Sequence, residues 1–277
     1  MVVTADILER LVEAALAEDV GDGDVTTEAT VDADAVGTAE LLVKEPGVVC
    51  GLAAAEAVFR ALDPGLRFEP LVDEGSLLEA APAAVAGVSG PLRAILTGER
   101  TALNFLGRLS GIATATRRYV DAVAGTGAAI LDTRKTTPGL RLLEKHAVAC
   151  GGGRNHRFGL HDGVLVKDNH LLAAGSVADA VARVRAATDL PVEVECDTLD
   201  QVAQALAAGA DAILLDNMGL DELRAAVVLV RGRARLEASG GATLDKVRAI
   251  ALTGVDEISV GALTHSSSSL DVSLELA

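Results

Sequence analysis

Near the N-terminus the apolar residues Ile7, Leu8, Leu11, Val12, Ala15 and Leu16 recur at three- and four-residue steps, the spacing that lines one face of an α-helix. An amphipathic helix is predicted over residues 6–18, with Thr4 placed to cap it. Over residues 37–97 the rhythm changes to short apolar runs cut by Gly and Pro: GTAELLVKEPGVVCG, LRFEPLVDEGSLL and AAVAGVSGPLRAIL. That pattern predicts a small sheet with helices, one of them over residues 53–62. A long helix is expected over residues 98–124, where Leu103, Leu106, Leu109 and Ile112 form an apolar face and Gly107 and Gly111 permit close packing. It is placed to bridge two domains.

The rest of the chain alternates. Strand-like AAILD, GVLVKD, VEVEC, AILLDN, RLEAS and EISVGAL are separated by helix-like SVADAVARVRAAT, TLDQVAQALAAGA and LDELRAAVVLV. Repeated β-then-α units imply an α/β fold with parallel strands wound into a barrel or an open sheet. The polar residues gather at or just beyond the strand ends: residues 132–135, 167–169, 195–197, 216–217, 237–241 and 259–261. In a parallel barrel those ends converge on one rim, where ligands bind.

Charge sharpens this picture. The chain carries a formal net charge of −16, yet the window from Asp132 to His170 holds seven Lys or Arg against four Asp or Glu, with four of the five histidines. A basic island with glycine-permitted turns in an acidic protein reads as a pocket for a small multivalent anion. DNA, RNA and acidic membranes are excluded as partners by the overall charge, and the absence of Trp leaves little surface for stacking bases. No run of eighteen strongly apolar residues occurs, and MVVTADILER lacks the basic start and apolar run of a signal peptide, so the expected compartment is the cytoplasm. Cys50, Cys150 and Cys196 show no metal or disulfide spacing and read as small buried apolar side chains.

The expected pocket contains Arg134, Lys135, His156, Arg157 and Lys167 as cationic or hydrogen-bonding groups, with Glu195 and Asp216 as carboxylates on later strands. That mixture suits a substrate with several negative groups and a centre that becomes positive in the transition state. Thr137 and Pro138 read as N-cap and first residue of a helix, whose free N–H groups would face the rim. Ser239, Gly240 and Gly241 follow a strand and precede a helix, and Ser259, Val260 and Gly261 end the last strand; both are suited to close approach of a phosphate. Taken singly each feature is weak: Asp216 could cap a helix, and His146 or His161 could be surface or core residues. Their mapping to one rim is what carries the reading. Arg100 falls in the first turn of the expected long helix, where the macrodipole disfavours a cation and an anionic partner would compensate; by itself it reads equally as an ordinary exposed arginine paired with Glu99 or a neighbour.

The strings GERTALNFL from Gly98, LDTRKTTPGLR from Leu131, GGRNHR from Gly152, VKDNH from Val166 and LDNM from Leu215 together resemble the quinolinate phosphoribosyltransferase family, also called carboxylating nicotinate-nucleotide pyrophosphorylases. The resemblance runs nearly the full length, from EDVGDGDVTT at Glu18 to VGALTHS at Val260. It implies an N-terminal α/β sandwich domain over residues 1–108, completed by residues 266–277, and an incomplete parallel α/β barrel of six to seven strands over residues 109–265. It also implies a homodimer, or a higher assembly, in which each N-terminal domain covers the partner's barrel. The implied reaction joins quinolinate to phosphoribosyl pyrophosphate, giving nicotinate mononucleotide, pyrophosphate and CO2 in de novo NAD synthesis. Mg²⁺ is expected with the pyrophosphate donor, and no organic cofactor.

Matched position by position, the resemblance gives Thr133, Arg134, Lys135, His156, Arg157 and Lys167 to the quinolinate and pyrophosphate grips, and Arg100 to an arginine offered across the dimer interface. Glu195 and Asp216 fall to the carboxylates near the ribose and the metal. Ser239, Gly240, Gly241, Ser259, Val260 and Gly261 fall to the ribose 5-phosphate loops. Lys135, Lys167, Glu195 and Asp216 are the expected catalytic groups. Three rival readings stand beside this one: a paralogue of the same fold acting on nicotinate or in molybdenum utilisation, an isomerase or aldolase with Lys167 as a Schiff base, and a non-catalytic anion binder. The number of cations favours a dicarboxylate over nicotinate, and the paired carboxylates disfavour a pure anion binder.

Overall fold

The computed structural model describes residues 4–277. Met1, Val2 and Val3, part of the decapeptide read above for a signal sequence, lie outside the described residues. Two compact units interleave along the chain. One takes residues up to Arg117 together with Thr136–Gly152 and Ser266–Ala277, and the other takes Arg118–Lys135 and Gly153–His265.

The first unit opens with α1 (Ala5–Val20) and α2 (Val25–Thr30), followed by β1 (Val36–Val43), β2 (Gly47–Val48), α3 (Leu52–Leu62), β3 (Arg67–Pro70), β4 (Leu77–Leu78), β5 (Ala83–Pro91) and α4 (Leu92–Ala122). Ala39, Leu41 and Val43 point inward at every second position of β1, as a strand's period of two requires. They share one core with Val85 and Val88 of β5, Phe59 of α3 and Ile95, Leu103 and Leu106 of α4. The long helix starts at Leu92, not near Gly98: Ile95 is already buried in that core, and Gly98 is buried inside the helix. At Gly111 a Cβ would run into the Ser268 carbonyl, so α4 meets the C-terminal segment backbone to backbone.

Six parallel strands make the sheet of the second unit: β6 (Ala129–Leu131), β7 (Val164–Val166), β8 (Val192–Cys196), β9 (Ala212–Asp216), β10 (Arg235–Ser239) and β11 (Glu257–Ser259). Between them run α5 (Arg141–Cys150), which belongs to the first unit, α6 (Asp168–Ala174), α7 (Val177–Ala187), α8 (Leu199–Ala207), α9 (Leu220–Val230) and α10 (Val247–Ala251), with α11 (Ala262–His265) after β11. Residues 212–215 of β9 are all buried, as expected for a parallel strand covered on both faces. Ser176 caps α7, and Thr198 with Gln201 closes a capping box on α8.

The strand order is β6-β11-β10-β9-β8-β7, so the first two strands are the sheet's edges and the α/β barrel is incomplete between them. Arg154 makes an isolated parallel bridge to Leu131 at the β6 edge. The last strand, β12 (Val272–Leu276), returns to the first unit and pairs antiparallel with β1, Val272 opposite Val43 and Leu276 opposite Ala39. It completes a four-stranded sheet of order β12-β1-β5-β3. Among the described residues no helix is long and apolar enough to cross a membrane.

Candidate active site

A cavity of about 420 Å³ lies at the C-terminal ends of the six parallel strands, where a β/α barrel collects its ligand-binding groups. Thr133, Arg134 and Lys135 follow β6, His156 and Arg157 come from the segment beside the open edge, and Lys167 follows β7. Glu195, Asp216, Ser239 and Ser259 enter from β8, β9, β10 and β11. The structure therefore brings ten of the residues expected at the rim into one cavity.

Gly240, Gly241, Val260 and Gly261 do not line the cavity themselves but follow Ser239 and Ser259, which do. Gly240 has φ +90°, and a Cβ there would collide with the side-chain oxygen of Asn217, so only glycine fits. Asn217 donates its N–H to the Ser239 carbonyl at 2.9 Å and its Nδ2 to Asp216 Oδ2 at 2.7 Å. The glycine turn after β10, where Gly241 also has a positive φ of +61°, thus supports the side chain that orients the Asp216 carboxylate. Val260 donates to the Leu131 carbonyl at 2.9 Å, and Thr264 Oγ1 donates to the Lys135 carbonyl at 2.7 Å. A Cβ on Gly261 would stand 3.3 Å from Lys135 Cδ, so the turn after β11 backs directly onto the Lys135 side chain.

Below the rim lies a buried charge network: Glu237, His156 and Ser259 were expected at the rim, whereas Glu193 and the pairing of both carboxylates with His156 were not. His156 Nε2 is 3.0 Å from Glu193 Oε2 and 3.4 Å from Glu237 Oε2, and Ser259 Oγ donates to Glu237 Oε1. Asp132, fully buried, accepts the His156 N–H at 2.9 Å and Asn155 Nδ2 at 2.7 Å, which fixes the segment that carries His156. Burial alone would lower the His156 pKa, but the hydrogen bonds and charges of Glu193 and Glu237 raise it to about 10. A second contact opposes this: the Arg157 N–H donates to His156 Nδ1 at 2.7 Å, which suits the neutral ring with its proton on Nε2. The upward direction prevails because two carboxylates attract a cation more strongly than one backbone amide repels it. Burial pushes the Glu237 carboxyl above its ordinary range.

Nearer the mouth, Lys167 Nζ pairs with Glu195 Oε2 at 2.9 Å. Arg157, anchored to the Gly163 carbonyl at 3.0 Å, has its pKa lowered by burial and then by the neighbouring positive charge of Arg134. Arg134 and Arg157 thus place two planar guanidinium groups at one cavity, an arrangement suited to bidentate binding of a carboxylate or phosphate.

Two expectations change. Arg100 lies well inside α4, which begins at Leu92, so the first-turn dipole argument does not apply; the residue is exposed, belongs to the first unit and does not line this cavity. Thr137 and Pro138 do not begin a helix: residues 138–140 form a turn and α5 starts at Arg141 after Leu140. The Thr137 N–H is not free either, since it donates to Glu144 Oε2 at 3.0 Å while its hydroxyl donates to Glu144 Oε1 at 2.8 Å. Glu193 and Glu237 did leave a signal. Each sits two residues before a rim residue, Glu195 and Ser239, and alternate residues share a strand face.

The chain matches the quinolinate phosphoribosyl transferase N-terminal domain over residues 24–110 and the C-terminal domain of the same enzyme over residues 112–275. It belongs to the quinolinate phosphoribosyl transferase family. It is 46% identical over 278 residues to the nicotinate-nucleotide pyrophosphorylase [carboxylating] of Mycobacterium leprae, covering 98% of each chain. Identity is also 46%, over 275 residues, to a probable enzyme of that name from Synechocystis, covering 98% of this chain and 92% of the relative. The structure resembles that of the nicotinate-nucleotide pyrophosphorylase from Francisella tularensis with a TM-score of 0.96 and 42% identity, covering 100% of this chain and 98% of that one. Every residue lining the cavity falls within the span matched to the quinolinate phosphoribosyl transferase C-terminal domain, and Arg100 falls within the N-terminal one.

Proposed function

We propose that this chain transfers the phosphoribosyl group of phosphoribosyl pyrophosphate to quinolinate, releasing pyrophosphate and CO2 and forming nicotinate mononucleotide for NAD synthesis. The observation that carries this reading is the single cavity in which Arg134, Lys135, Arg157 and Lys167 surround the carboxylates Glu195 and Asp216. Four cations suit two polyanionic substrates, and the carboxylates suit the positive charge that develops on the ribose.

Departure of pyrophosphate breaks the C1–O bond and leaves an oxocarbenium-like ribose, which Glu195 and Asp216 stabilise while Lys and Arg neutralise the leaving group. The quinolinate nitrogen then bonds to C1. Once quaternised, the ring accepts the electron pair of the breaking carbon–carboxylate bond, CO2 leaves and a proton takes its place. Lys135 and Lys167 are the candidate proton donors. Arg134, Arg157 and His156 hold the substrate carboxylates, with Thr133 beside them. The turns of Ser239, Gly240 and Gly241 and of Ser259, Val260 and Gly261 receive the 5-phosphate.

Glu195 and Asp216 each keep one carboxylate oxygen with no protein partner among the described residues, a hard-oxygen pair that fits Mg²⁺ carried with the pyrophosphate. When bound, that ion supplies charge neutralisation at the departing group. The cytoplasm is the proposed compartment.

The test is release of CO2 and pyrophosphate from quinolinate, phosphoribosyl pyrophosphate and Mg²⁺, run beside nicotinate. Both products with quinolinate alone are expected; pyrophosphate with nicotinate alone would move the chain to a paralogous activity.

The working unit is proposed to be a homodimer in which exposed Arg100 reaches the partner's cavity. Mixing Arg100→Ala subunits with Lys167→Ala subunits should then restore part of the activity, because one hybrid site keeps both residues. No recovery after demonstrated subunit exchange would remove Arg100 from a shared site.

A further inference from the structure

Away from the cavity, the first unit gathers four metal-binding side chains from three separate stretches of chain. The ligand atoms of Cys50, Glu74, His146 and Cys150 all lie within 4.8 Å of one another. His146 and Cys150 are four residues apart on α5, which places them on one helix face. His146 Nε2 is 3.5 Å from Cys150 Sγ, close to the roughly 3.6 Å edge of a tetrahedron with zinc–nitrogen and zinc–sulfur bonds of ordinary length.

The other two donors are held in place independently of α5. Cys50 is fully buried, and its backbone is clamped on both sides by Ser110: the Cys50 N–H donates to Ser110 Oγ at 2.9 Å, and that hydroxyl donates to the Cys50 carbonyl at 2.9 Å. Glu74 accepts the Gly51 N–H at 2.9 Å and the Ala53 N–H at 3.3 Å, so the start of α3 orients its carboxylate. Gly75 N–H donates to the Val49 carbonyl at 2.8 Å, which ties the Glu74 turn to the strand that leads into Cys50. Outer hydrogen bonds of this kind are how metal sites aim their ligands.

We propose that Cys50, Glu74, His146 and Cys150 form a structural zinc site. Two thiolates and an imidazole select a borderline-soft ion over Mg²⁺ or Ca²⁺, and the carboxylate completes a four-donor set. By linking α5 to the loops that carry Cys50 and Glu74, the ion would staple two stretches of the first unit together. The cavity residues are not involved.

The experiment uses the full-length protein, purified under reducing conditions, loaded with Zn²⁺ or Co²⁺ and then dialysed. One tightly held zinc per chain is expected, with a thiolate-to-cobalt charge-transfer band in the Co²⁺ form and sulfur ligands in the X-ray absorption spectrum of the zinc form. Cys150→Ser and His146→Gln should each weaken retention at least about tenfold, whereas Glu195→Gln should leave the thiolate band unchanged. Spectra showing only nitrogen and oxygen ligands would overturn the proposal even if the variants failed to fold. So would sub-stoichiometric metal in the reduced wild type with its thiols confirmed free, and so would a Cys50–Cys150 disulfide that persists through the reducing purification.

Discussion

Lys167→Ala is expected to lower kcat/KM with quinolinate and phosphoribosyl pyrophosphate by roughly 10²–10³-fold, the usual effect of removing one preorganised charge aimed at a transition state. Its effect on stability should be small. The Lys167 side chain is 46% exposed, and its 2.9 Å pair with Glu195 stands at the mouth of the cavity, where an ion pair contributes about 0–1 kcal/mol. Thermal unfolding and steady-state kinetics on the same preparation separate the two quantities. An unchanged melting temperature with collapsed turnover is the expected result; unchanged turnover would take Lys167 out of the chemistry. The Schiff-base alternative makes a different forecast, covalent trapping of Lys167 by borohydride in the presence of a carbonyl substrate, and no adduct is expected.

His156→Ala should act the other way round, by destabilising the second unit as well as impairing binding. The replacement leaves Glu193 and Glu237 facing each other as buried carboxylates without their shared partner, which costs about 3–5 kcal/mol when one member of a buried pair is removed. Adding Glu237→Gln should recover part of that loss, since the two residues belong to one network and their effects are not additive. Strict additivity in the urea midpoints would argue against the network.

The same network sets a pH dependence. Because the folded-state pKa of His156 is raised, its contribution is fully present below about 6.5 and is lost as pH climbs through about 10. Wild-type stability should therefore fall between pH 7 and 10 more than that of the variant. Glu237 is also raised, so its contribution is fully present below its ordinary value of 4.5 and lost as pH rises through its folded pKa; the loss that extends towards pH 10 comes from His156. An equal slope in both proteins would mean that the Arg157 amide keeps the ring neutral.

Much of the architecture was legible in the chain itself, because helix and strand periods are local. VEVEC, AILLDN and RLEAS announce covered parallel strands, and the runs between them carry their own caps in Ser176 and Thr198. Glu195, Asp216, Ser239 and Ser259 were legible as rim residues for the same reason: each sits at or beside the C-terminal end of an apolar run, and parallel winding brings those ends together. Long helix α4 was misplaced at its start, since Gly98 reads locally as a boundary although its neighbours in space, Phe59 and Leu62, bury it within a continuing helix.

The alternation of strand and helix, the placement of the basic island and the residue types that face one rim follow from the order of residues alone. Packing of the whole chain opened the barrel between β6 and β7, laid residues 153–157 beside that edge, and so brought His156 to Glu193 and Glu237. It likewise decided that Cys150, read as a buried apolar side chain, is only partly buried and meets Cys50, Glu74 and His146. The two kinds of information differ in range. Periodicity and capping act over a few neighbouring residues, whereas a charge network or a metal-binding cluster joins positions tens of residues apart, whose separation in space is settled only when the whole chain has packed.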